Sequence, residues 1–215
     1  MATFADFPYE IVETNGENAL ARWEELKQAG RGAPVVLGAD HAGNLLLPFD
    51  PANRANLKPV EEILAEADAI NFPADLHKLR QVENARAAAV LKEMGYAADF
   101  GDEDDEPPLG DWPDQPSYAP GLSVAYEPIT QAPRSVLRIA LIPTGDPTAI
   151  PAYMHWGNWN ACPPPAHHVA ALRAWRDSYG AELIGLGADT MNLRLSRRPA
   201  TRDEALELAR VHYLY

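Results

Sequence analysis

Two helix-then-strand segments set the architecture. Ala19 to Ala29 places Ala19, Trp23 and Leu26 on one helical face, stops at Gly30, and leads into the apolar run Pro34-Val35-Val36-Leu37. Ala166 to Tyr179 repeats the arrangement, with His168, Leu172, Trp175 and Tyr179 on one stripe, a stop at Gly180, and the run Glu182-Leu183-Ile184-Gly185-Leu186. A short apolar run after a glycine-terminated helix reads as a buried strand, so the chain must lay helices over a sheet. The fold class is therefore α/β, with α+β as the alternative. The stretches Ala19–Asp40 and Ala171–Asp189 both end in Gly-Ala-Asp. A duplicated unit and ordinary reuse of a common pattern both account for that echo.

Further elements fill in around these two. Tyr9–Glu13 reads as a strand and Asn15-Gly16 as a turn, with a possible further strand at Asn44–Leu47. Pro59 suits the first turn of a helix whose stripe is Val60, Ile63, Leu64 and Ala67. A second helix runs from after Pro73 to about Met94, with Leu79, Val82 and Ala89 inward, and the two are expected to pair as a hairpin. Asp102-Glu103-Asp104-Asp105-Glu106 followed by Pro107-Pro108 reads as an acidic, proline-rich linker or loop over 99–117. It lacks the alternating carboxylates and central glycine of a calcium loop. Beyond it, Ser123–Tyr126, Val136–Ile142 and Met191–Leu195 read as strands. Thr201…Glu204 is a capping box opening a last helix with Ala205, Leu208 and His212 on one face. The expected organisation is a helix-rich N-terminal part over 1–98 and a C-terminal domain over 118–215, a mixed sheet flanked by helices.

Charge and cysteine content narrow the function. The chain has 31 acidic and 18 basic residues, a formal charge of −13. Such a surface repels nucleic-acid phosphates and anionic lipid, and favours solubility, a cation or a basic protein partner. With one cysteine no internal disulfide forms, which suits the reducing cytoplasm. The first residues carry no basic start and no apolar core of a signal peptide, and no apolar run is long enough to span a membrane.

Chemistry-bearing residues concentrate in His155-Trp156-Gly157-Asn158-Trp159-Asn160-Ala161-Cys162-Pro163-Pro164-Pro165-Ala166-His167-His168. His155, Cys162 and His167 are soft-metal ligand types, but their spacing fits no standard zinc site, and no cofactor is expected. Helical phase turns His168 to the core and His167 away from it. Cys162 precedes a helix, where a thiol is activated, and His155 or His167 could serve as its base; a small buried cysteine is the alternative. Trp156, Asn158, Trp159, Asn160 and His167 form a candidate binding face, or else a folded loop that plugs the core edge. Arg194, Arg197 and Arg198 make a local basic spot, either an anion site or a solvated strand end. No nucleophile elbow, P-loop or zincin motif is present.

The order Trp156-Gly157-x-Trp159-Asn160-x-Cys162-Pro163, a helix bearing Trp175, Tyr179-Gly180-Ala181-Glu182-Leu183, Arg198-Pro199 and Glu204-Ala205-Leu206-Glu207-Leu208-Ala209 resembles a bacterial domain of unknown function, family 4253, over about Val136 to Tyr215. The resemblance implies an α/β domain and assigns no activity, cofactor or catalytic residue. It also implies a further cysteine-containing segment and an aromatic tail after the last helix, where this sequence has Tyr213-Leu214-Tyr215. The expected function is a non-catalytic protein-binding module of the bacterial cytoplasm, of which an immunity-like role is one form. The alternative is a hydrolase-type enzyme dependent on Cys162 and histidine, or on a metal.

Overall fold

The computed structural model describes residues 4–38, 43–97, 121–159 and 162–215. The expected linker over 99–117 and the candidate Asn160 lie outside the described residues. The sheet has five strands among the described residues: β1 (Glu10–Thr14), β2 (Ala33–Leu37), β3 (Leu137–Ile142), β4 (Glu182–Leu186) and β5 (Met191–Arg194). Their spatial order is β1-β3-β2-β4-β5. β3 runs antiparallel to both β1 and β2, β2 and β4 are parallel, and β5 is antiparallel to β4. The fold is thus mixed α/β. Strands from before and after the expected linker interleave in this one sheet.

Both faces of the sheet are covered, and the period of two along β2 divides them. Val36 points to a core with Trp23, Leu26, Ile139 and Ile184, under α1 (Ala19–Ala29). Val35 and Leu37 point to a larger core with Leu172, Trp175 and Trp156. That second face is covered by α6 (Ile150–Met154) and α7 (Pro165–Tyr179). The two echoing units therefore do form helix-then-strand pairs with adjacent parallel strands, but their helices sit on opposite faces. Trp23 donates its indole N–H to the Pro34 carbonyl at 2.7 Å, tying α1 to β2.

Three strand or facing expectations are corrected. Asn44–Leu47 is not a strand: α2 (Gly43–Leu46) leads into a single 3-10 turn, and α3 (Pro51–Arg54) follows after Asp50. Three leucines are too short a run for periodicity to separate strand from helix, and here both Leu45 and Leu46 are buried. In place of the expected strand over Ser123–Tyr126, Ser123–Ala125 forms a 3-10 turn, and Tyr126 makes only an isolated antiparallel bridge with Pro133. Val124 drops into a trough left by Gly38, Gly185 and Gly187, and its N–H is taken by the Asn192 side chain at 3.0 Å rather than by a strand. The third correction concerns α4 (Val60–Ala69) and α5 (Ala74–Glu93). α4 lies on α6 and α7, while α5 lies against α8 (Arg202–Leu214), so the expected hairpin opens onto separate partners. On α5, Leu76 is buried and Leu79 half-buried, whereas Val82 and Ala89 are exposed.

Candidate functional site

The tryptophan-rich segment is a folded loop between α6 and α7. α6 ends at His155, whose left-handed φ of 47° turns the chain. Gly157, at φ 113°, comes so close to α7 that a Cβ would stand 2.6 Å from His168 Nε2 and collide with the Pro163 carbonyl. Only glycine fits there. Asn158 is also left-handed, at φ 63°, a region asparagine tolerates. The Asn158 N–H donates to the Pro163 carbonyl and the Cys162 N–H to the Trp159 carbonyl, both at 2.9 Å, which closes the loop on itself. Pro165, the first residue of α7, starts the helix with φ already set.

The loop's inner side is a buried polar cluster. Trp156 lies in the core with its indole N–H on the Gly187 carbonyl at 2.9 Å and its ring 4.5 Å from that of His168. His168 is fully buried. Its Nε2 is 3.4 Å from Cys162 Sγ, and its Nδ1 is hydrogen-bonded to the Tyr215 hydroxyl. Burial pulls the imidazole pKa down to about 3 and pushes the Cys162 thiol up to about 11. Burial also holds the Tyr215 hydroxyl well above the usual phenol range. All three groups are therefore neutral at pH 7.

Burial sets the two proton affinities far apart: an imidazole that stays neutral down to about 3 is a weak base for a thiol pushed up to about 11.

Two residues that complete this cluster come from far away. Tyr215 follows α8, and Arg80 on α5 holds it. Arg80 donates Nε to the Leu214 carbonyl at 2.9 Å and Nη2 to the Tyr215 main-chain oxygen at 2.6 Å, and it pairs with Glu83 at 2.8 Å. Tyr215 and Trp175 stack edge-on, with centroids 5.0 Å apart, and Phe72 and His212 contact the same indole.

The loop's outer side opens onto two hollows. His155, Asn158 and Trp159 line a cavity of about 170 Å³ beside Leu47 and Asn53. His155, Asn158 and His167 also line a cleft of about 740 Å³, whose other wall is α4 with Ile63, Glu66 and Ile70. Lys58 spans the rim and pairs with Glu66 at 2.5 Å. Desolvation lowers the pKa of both His155 and His167, although Asp75 pulls His167 back upward. The His167 Nδ1 is buried without a hydrogen-bond partner among the described residues.

Of the sequence candidates, His155, Asn158, Trp159 and His167 thus line the hollows, Trp156 reaches from the inner cluster to the wall of the smaller hollow, and Cys162 belongs to the inner cluster. The thiol's imidazole partner is His168 rather than His155 or His167. No three histidine, cysteine or carboxylate side chains converge on a metal-sized site among the described residues. The basic spot is engaged: Arg194 pairs with Glu182 at 2.7 Å and with Glu24, over the Trp23 ring, and Arg197 donates to the Asp177 carbonyl. Sequence reasoning missed His168 as a partner for Cys162, although its inward phase was the signal that could have found it. Tyr215 and Arg80 carried no local signal.

Fold and loop together define an α/β protein with a locked, neutral cysteine–histidine–tyrosine cluster behind an open cleft. Residues 138–215, carrying all but the first residue of β3 and the whole loop, match the family model described as Domain of unknown function (DUF4253). Comparison with curated proteins and with solved structures gives no match. No helix among the described residues is long and apolar enough to cross a membrane.

Proposed function

We propose that this chain is a non-catalytic protein-binding module whose recognition surface is the cleft between α4 and the His155–His167 segment. The observation that carries the reading is the division of that segment. Its one nucleophile is held neutral beside a buried histidine that is a weak base for it, while His155, Asn158 and His167 meet at the cleft. An apolar-walled cleft with a few polar groups suits an extended peptide segment. The charge of −13 favours a basic partner. Neutralising a basic toxin, as an immunity protein does, is one form of this role. The reading calls for no metal or cofactor.

The test compares capture of a soluble partner by the immobilised protein and its variants. Ile70→Glu and His167→Ala abolish capture while thermal melting stays near wild type, and Cys162→Ser captures normally. Cleft variants that capture as well as wild type overturn the reading. So does alkylation of Cys162 at neutral pH at the rate of a free thiolate, which would favour the hydrolase-type alternative.

A further inference from the structure

Among the described residues, the second half of α5 has almost no cover. Among residues 85–97 only Ala88 and Leu91 are even half-buried, and Val90, Met94 and Tyr96 are 55%, 64% and 63% exposed. A helical arm of this length is marginal in water when it packs on nothing. Val82, Arg86, Ala89 and Glu93 follow one another at intervals of four, three and four, which puts them on a single seam, with Val90 beside it. Arg86 and Glu93 form no ion pair among the described residues, although the neighbouring Lys78 and Arg80 on the same helix are paired.

We propose that this seam is an antiparallel homodimer contact between α5 of one protomer and α5 of a second copy. The charges select that occupant. When two copies run antiparallel with Arg86 opposite Glu93, the two-fold axis falls between Ala89 and Val90. Two reciprocal Arg86–Glu93 pairs then flank a centre made of Ala89 and Val90 from both protomers. The same surface complements itself, as a two-fold interface requires. A parallel pair would set Arg86 against Arg86 and Glu93 against Glu93, which repel. Ala85 and Ala89 let the helices approach closely. The contact is apart from the cleft and does not depend on the binding reading.

The test is sedimentation equilibrium of the full chain over a range of concentrations. Wild type is expected as a dimer. Arg86→Glu alone and Glu93→Arg alone each weaken it at least tenfold, because each places like charges opposite one another. An equimolar mixture of those two variants restores a dimer, since every 86–93 contact is again opposite in sign. The double variant Arg86→Glu/Glu93→Arg dimerises by itself for the same reason. Helical circular dichroism shows that each variant is folded. A wild type that stays monomeric overturns the proposal, whether the seam is bare or covered by the chain's own residues. A dimer indifferent to both charge reversals, or variants whose mixture stays monomeric, also overturns it.

Discussion

The two sides of one loop use the same residue types to opposite ends. Inside, Trp156, Cys162 and His168 are packed against Tyr215 and hydrogen-bonded into a neutral cluster. Outside, Trp159, Asn158, His155 and His167 line open hollows. A tryptophan and a histidine sit on each side. Residue chemistry therefore does not tell function from support here; burial does, since desolvation decides whether a side chain keeps its charge and its access.

That contrast predicts a ranking. Trp156→Ala removes a fully packed indole and strands the Gly187 carbonyl, and should cost about 3–5 kcal/mol in urea unfolding; Trp159→Ala should cost well under half as much. Equal losses would mean that both sides are core. Acid comes next. The His168 pKa is about 3 in the folded chain against an ordinary 6.5, so between those values only the unfolded chain takes up the proton. Stability present above pH 6.5 is therefore lost as pH falls, by up to about 1.4 kcal/mol per unit. His155, His167 and His212 are lowered too and add to the slope. His168→Gln should flatten it most, and His167→Gln much less; the reverse order would put the buried base outside.

Arg80→Met frees the two main-chain oxygens it holds near Tyr215 and should cost about 1–3 kcal/mol. It should also speed Cys162 alkylation, because the tyrosine that walls the cluster loosens. In the wild type the thiol pKa of about 11 makes alkylation slow at pH 7. Reaction as fast as in the urea-unfolded chain would contradict the locked cluster. The smallest effect belongs to His167→Gln, which should leave stability within about 0.5 kcal/mol while changing partner capture.

Much of the fold was legible because its main elements are locally consistent. α1 and β4 fall where the helix face, glycine stop and apolar run put them. The start of α8 was equally legible: Thr201 Oγ1 accepts from the Glu204 N–H at 3.2 Å, and the Glu204 carboxylate returns to the Ala200 N–H. Local pattern failed where a distant partner decides. Val124 turns rather than extends because Gly185 on β4 and the glycines just after β2 and β4, Gly38 and Gly187, leave it a seat. The inward face of α5 is set by Arg80 reaching the end of α8, a charged residue in a place where an apolar one was sought. The same holds for the site. Phase alone turned His168 inward, but its pairing with Cys162 needed the turn at Gly157, and its pairing with Tyr215 joins positions 47 residues apart.

The placement of β3 also governs the timing of assembly during synthesis. β1 and β2 are neighbours in sequence but do not touch in the sheet; β3 lies between them and pairs with both. A nascent chain that has emerged only as far as β2 therefore holds two strands with nothing to join them. The centre of the sheet closes once residues 137–142 clear the ribosome, and β2 gains its other neighbour only with 182–186. Such long-range pairing slows folding and leaves strand edges open meanwhile. Translation arrested shortly before residue 137 should yield a chain that depends on chaperones, and arrest after 186 one that resists protease.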